Sequence, residues 1–215
     1  VNPILDSEDA TARLAAQTGT LADEWDRFVN DILYDDLGDS RDQIADVAVK
    51  ASQINIPADQ IDAATRSTLL FLKTFNDQNP EQVLRTLDTL IGQDLAGSFG
   101  EATDLVTAFF QEGGNRNDDA LQAIQTYAVG FKDAGLNGNE ALSAINSLLD
   151  AGFVSASDAA RAITDFDNAL TTAAANADSP QAEALRTLGL ENPKEQGETA
   201  GAEFFAGAVD AIKNS

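Results

Sequence analysis

Two polar clusters hold the side chains best suited to chemistry. Asp31, Asp35, Asp36, Asp39 and Asp42 crowd one stretch, and Asn115, Asn117 and Asp119 present oxygens at alternate positions of another. Alternating hard oxygen ligands are how a calcium loop begins. Neither stretch completes one: the first lacks the ligand register and central glycine, while the second has Ala120 where the turn needs glycine and no glutamate at the closing position. Helix capping, in which a side-chain oxygen accepts a backbone N–H, accounts for both clusters. A carboxylate pair for glycoside hydrolysis needs two acids in one cleft with one of them desolvated. Among 36 acidic residues such pairs arise by chance, so no residue is singled out as catalytic, cofactor-binding or metal-binding.

What the sequence omits narrows the chemistry further. There is no histidine and no cysteine, which removes Ser-His-Asp catalysis, thiol nucleophiles, disulfides and most zinc sites. The chain reads as a non-enzyme without cofactors. Thirteen basic residues against 36 acidic ones give a net charge of −23, which repels nucleic-acid phosphates and anionic lipid. Most of the carboxylates read as a solvated coat on helix faces. No apolar run reaches the roughly 18–20 residues needed to cross a bilayer. The chain opens on Val1 and contains no methionine, which reads as a segment of a longer polypeptide.

The elements that must position these side chains are helices. Strand signals are absent, whereas Trp25, Phe28, Val29, Ile32 and Leu33 recur at helical spacing, as do Ile44, Val47, Ala48 and Ala51. Pro57 and Pro80 each stand in a first turn, where a missing N–H costs nothing. The strongest pattern is written twice. Glu101-Ala-Thr-Asp-Leu-Val-Thr-Ala-Phe-Phe-Gln-Glu-Gly113 returns as Glu140-Ala-Leu-Ser-Ala-Ile-Asn-Ser-Leu-Leu-Asp-Ala-Gly152, and Asp119, Ala120, Ile124 and Tyr127 return as Asp158, Ala159, Ile163 and Phe166. From Glu101 to Glu140 the period is 39 residues, the range of stacked helical hairpins. Helices at Ile61 and Val83 resemble a degenerate third copy. Gly113-Gly114 and Gly135 end helices, and the aromatics Trp25, Phe28, Phe71, Phe75, Phe109, Phe110, Tyr127, Phe131, Phe153 and Phe166 belong to the core stripes.

The expected fold is all-α: about seven to ten helices in consecutive antiparallel hairpins, forming an irregular solenoid-like bundle in which each hairpin packs mainly on its sequence neighbours. Residues 1–38 read as N-terminal helices packing on the main body and 39–178 as the hairpin-repeat domain, with repeats at 101–127 and 140–166. Thr171 to Asp178 reads as a frayed helix end or a loop, and 179–215 as C-terminal helices reached through a hinge at Glu191–Gly197.

With the repeat laid out, the chain resembles the helical region of tailed-phage tape measure proteins. The resemblance rests on Pro80-Glu-Gln-Val-Leu-Arg-Thr-Leu-Asp-Thr-Leu, both copies of the repeat, Ala184-Leu-Arg-Thr-Leu-Gly-Leu190, and the closing Gly201-Ala-Glu-Phe-Phe and Val209-Asp-Ala-Ile. It spans roughly residues 40–212. It implies a virion component of the tail, made in the bacterial host cytoplasm, that helps to set tail length and contacts tail-tube or other tail proteins or itself. The long heptad-rich portion of such proteins has no counterpart here, so the chain resembles a compact module rather than the ruler. The alternative is a non-catalytic helical-repeat module of a bacterial protein that holds a partner peptide or helix.

Overall fold

A computed structural model describes residues 12, 15, 16, 22–196 and 200–213. Most of the N-terminal stretch ahead of Ala22 that reads as helical lies outside them, as does the end of the expected hinge. The described residues form ten α-helices and no strand: α1 (Ala22–Tyr34), α2 (Arg41–Gln53), α3 (Ile61–Thr74), α4 (Pro80–Gly92), α5 (Phe99–Gln111), α6 (Ala120–Asp133), α7 (Gly138–Asp150), α8 (Ala156–Ala175), α9 (Pro180–Thr187) and α10 (Gly201–Lys213). Short 3₁₀ turns at Ala58–Gln60 and Pro193–Gln196 precede α3 and α10. The all-α reading holds.

Side-chain oxygens start many of these helices, satisfying amides that have no intrahelical acceptor. Ser40 Oγ accepts from the Gln43 amide, Ser98 Oγ from Glu101, Ser155 Oγ from Asp158 and Ser179 Oγ from Ala182. Asn137 forms a full capping box with Glu140 at the start of α7.

Seven helices end alike. After α1, α2, α4, α5, α6, α7 and α9 the chain turns through a residue of positive φ, namely Asp36, Asn55, Asp94, Gly113, Gly135, Gly152 and Gly189. At each the next amide reaches back to the helix carbonyl five residues earlier, as in Leu37 to Ile32 (3.2 Å) and Leu136 to Phe131 (3.0 Å). These turns carry the period beyond the two copies that are plain in the sequence: Asn55 to Asp94 is 39 residues, as is Gly113 to Gly152.

Two compact units form. The first holds α1, α2, α3, α4 as far as Asp88, and Ser98–Asp104. In it α2 packs on α1 and α3, burying Val29, Ile32, Ile44, Val47, Ile61, Leu69 and Phe71. The second holds Thr89–Gly97 and the chain from Leu105. Its centre is α8, which receives α6, α7, α9 and the second 3₁₀ turn, while α10 packs on α7. The most extensive packing joins α6 to α8, not sequence neighbours. These helices are the equivalent members of successive copies, so in this unit copy stacks on copy. Gly130 brings the two close, since a Cβ there would stand 2.6 Å from Thr164 Oγ1.

Helix α8 runs on to Ala175, so much of the stretch read as a loop or frayed end is helical. Most of the aromatics read as core are buried or half-buried, but Phe153 is an exception. It is exposed next to Val154 in the turn between α7 and α8. Its counterpart in the first copy is Gly114, which lies so close beneath the Phe109 ring that a Cβ would overlap it.

Candidate functional site

The Asn115–Asp119 turn shows what its oxygens are for. Asn115 Oδ1 accepts the Ala120 amide at 3.1 Å and its Nδ2 donates to Asp118. Asp119, the residue before α6, makes no side-chain cap to its own helix and reaches across to α8, accepting the Ala156 and Ser157 amides at 3.2 and 2.8 Å. The equivalent Asp158 accepts instead from the Ser155 hydroxyl and from Arg161. One position of the repeat therefore joins two copies and its counterpart stays local. Burial acts to raise the Asp119 pKa, but the Ser157 hydroxyl and amide, the Ala156 amide and the Ser155 hydroxyl outweigh it and hold the carboxyl below its ordinary value.

That arrangement sets a pH-dependent expectation. Asp119→Ala strands two amides at the start of α8 and should lower stability by about 1–2 kcal/mol. A carboxyl depressed in the folded state contributes stability above its unfolded pKa, near 3.9, and loses it as pH falls through the lower folded value. Urea unfolding should show a constant gap between parent and variant at neutral pH that closes in acid.

The Asp31–Asp42 cluster is used otherwise than the capping reading supposes. Asp35 accepts from Arg66 at 2.6 Å, and Asp36 from Lys73 at 2.6 Å, with Lys73 also donating to the Asp36 carbonyl. Only Ser40 caps a helix there by its side chain. The second unit repeats the device, with Lys132 donating to Asp94 at 2.5 Å. The hydrogen bond and charge of each lysine hold Asp36 and Asp94 below the ordinary carboxylate range. Arg116 makes a related link, donating to the Gly113 and Leu149 carbonyls and to Asp150. Basic side chains thus tie the end of one helix to the end of the next but one. Among the described residues no group of three or more His, Cys, Asp or Glu is placed to hold a metal ion.

A site of another kind is a groove of about 390 Å³ in the second unit. Its floor is Leu148, Ile163 and Phe205, its walls are the small residues Ala144, Ala202 and Ala206, and Glu140, Ser143 and Ser147 edge it. Capping at Asn137 fixes the start of α7. The α10 side is set by Gly201, whose amide donates to the Ala134 carbonyl at 2.8 Å. The Phe166 ring lies 6.0 Å from Phe204 and 5.6 Å from Phe205. Such a surface can take an apolar side chain or helix ridge by packing alone. The sequence reading missed it. Its only trace there is the run of small residues at helical spacing in α7 and α10, which reads equally well as core. A second, more polar hollow of about 470 Å³ lies between α9 and the 3₁₀ turn, and Arg186 spans its edge by donating to the Ala182 and Ala177 carbonyls.

No helix among the described residues is long and apolar enough to cross a membrane. Neither the curated proteins nor the solved structures give a match to this chain. A family model described as phage-related minor tail protein matches residues 32–214, from the end of α1 through α10. The chain belongs to the phage-related minor tail protein family.

Proposed function

We propose that the chain is a structural, non-catalytic module of a tail tape measure protein, helping to assemble the phage tail and set its length by helical packing with itself or another tail protein. The observation that carries this reading is the family match from residue 32 to 214. The geometry agrees with it. Several carboxylates and amides in the turns are engaged in caps and ion pairs, and an apolar groove stands open in the second unit. The −23 charge would keep such a module from adhering to DNA sharing the tail tube.

In-frame removal of the paired helices from the phage gene should shorten assembled tails, as measured by electron microscopy. Tails of unchanged length that still form without the segment would sink the length-setting role. DNA binding at sub-micromolar affinity in moderate salt would sink the electrostatic part.

The groove favours a second reading, a module that holds a partner peptide or helix. Ala206→Glu places a charge on an exposed wall of that groove. It should leave the melting temperature within a few degrees while abolishing co-purification of a tail partner, if the groove is the docking surface.

A further inference from the structure

The sequence contains a single Asn-Gly step, Asn137-Gly138, and the fold requires both residues for reasons unrelated to their joint reactivity. Asn137 supplies the capping box of α7: its Oδ1 accepts the Glu140 amide at 3.0 Å and its own amide donates to Glu140 Oε2 at 2.9 Å. Gly138 is buried, and a Cβ on it would stand 2.3 Å from the Leu95 carbonyl oxygen and 2.8 Å from Leu105 Cδ1. Only glycine lets the first turn of α7 come so near the turn after α4. The resulting dipeptide is the one in which ring closure meets least steric resistance, because the residue after the asparagine has no side chain.

We propose that Asn137-Gly138 is a deamidation site gated by the joint between Leu95 and the start of α7, shut in the folded chain and reactive whenever that joint opens. In the reaction the Gly138 amide nitrogen loses its proton and attacks the Asn137 Cγ. A C–N bond forms and the side-chain nitrogen departs as ammonia, leaving a five-membered succinimide. Water then opens either carbonyl, so the net change is amide plus water to carboxylic acid plus ammonia, with the backbone running through the α- or the β-carboxyl.

Three features of the folded chain oppose the attack. The Gly138 N–H donates to the Leu95 carbonyl at 3.1 Å, so the nucleophile is engaged and out of water. The Asn137 carboxamide is held on Glu140 at the start of the helix. Asn137 itself is extended, with φ −82° and ψ 174°, a backbone conformation held by the capping box. All three are released together when the first turn of α7 lifts away, so the reaction reports that local opening.

The two products differ in consequence. A normal aspartate at position 137 is as good a cap as asparagine, and its charge suits a helix N-terminus. The β-linked product adds a backbone carbon at the one place where the amide of Gly138 must meet Leu95, so that fraction cannot rebuild the joint. Opening therefore leaves a permanent mark on the chain.

The test uses the full chain at pH 8.5 and 37 °C, with and without guanidinium chloride above its unfolding midpoint. Peptide mapping by mass spectrometry follows the gain of about 1 Da at each asparagine, and an isoaspartyl assay follows the β-linked product. Asn137 should convert first among all asparagines in denaturant, and at least about tenfold more slowly in the native protein. Equal rates in the two conditions would overturn the gate. Earlier conversion of any other asparagine in denaturant would overturn the site. Asn137→Asp should fold with little change in melting temperature and remove the fastest conversion in denaturant. Persistence of that fast phase would overturn the assignment.

Discussion

Phe131→Ala is expected to lower the unfolding free energy by about 3–5 kcal/mol, read from urea or thermal unfolding, because a fully buried ring is replaced by a cavity. Phe131 is 0% exposed and sits in the last turn of α6, the helix whose packing on α8 is the main seam of the second unit. Its carbonyl also accepts the Leu136 amide that closes the helix, so the side chain and the terminal turn are held at one point. Two residues earlier Val129 is 55% exposed, and Val129→Ala should change stability by no more than about 0.5 kcal/mol. Gly130 between them faces Thr164. A similar loss at positions 129 and 131 would mean that α6 does not present the face to α8 that its packing requires.

That seam shows what could be read from the sequence and what could not. The apolar stripe of α6 is a local 3.6-residue signal, so the helix and its buried positions Leu121, Ile124 and Phe131 were legible. The stripe does not say which helix will cover it, and stacking of α6 on α8 across an intervening helix had to come from the structure. The repeat was legible where its helix ends are glycine, at Gly113 and Gly152. It was faint earlier in the chain because Asp36, Asn55 and Asp94 occupy the same left-handed position, and these residues adopt it at a cost that glycine avoids. At Asp36 and Asp94 a lysine from the next helix but one receives the carboxylate. A search for glycine punctuation passes over such turns. The cross-copy cap by Asp119 was equally hidden, since nothing local distinguishes an aspartate that caps its own helix from one that caps a helix farther along the chain.

Lys194→Met is the other substitution with a large expected effect, a loss of about 3–5 kcal/mol, because it leaves a buried carboxylate without a counter-charge. Asp167 on α8 is 5% exposed. One of its oxygens accepts from Lys194 at 2.7 Å and the other has no hydrogen-bond partner. The lysine comes from the 3₁₀ turn at Pro193–Gln196, which Asn192 also fastens to α8 by donating to the Leu170 carbonyl at 2.7 Å. Within the stretch read from sequence as a hinge, Asn192 and Lys194 are thus fastened to α8 by one amide and one ion pair. Removing both charges together is a different experiment. Asp167→Leu with Lys194→Met replaces the pair by apolar side chains and should recover most of the stability lost by the single change, or exceed the parent. A double-mutant cycle from urea unfolding then separates attraction between the two charges from the cost of burying them. With the pair gone, Asn192 alone would set where the turn sits on α8. Amide exchange at residues 194–196 should then quicken even in a stable double variant. If exchange there is unchanged, the ion pair contributes to stability only and the register belongs to Asn192.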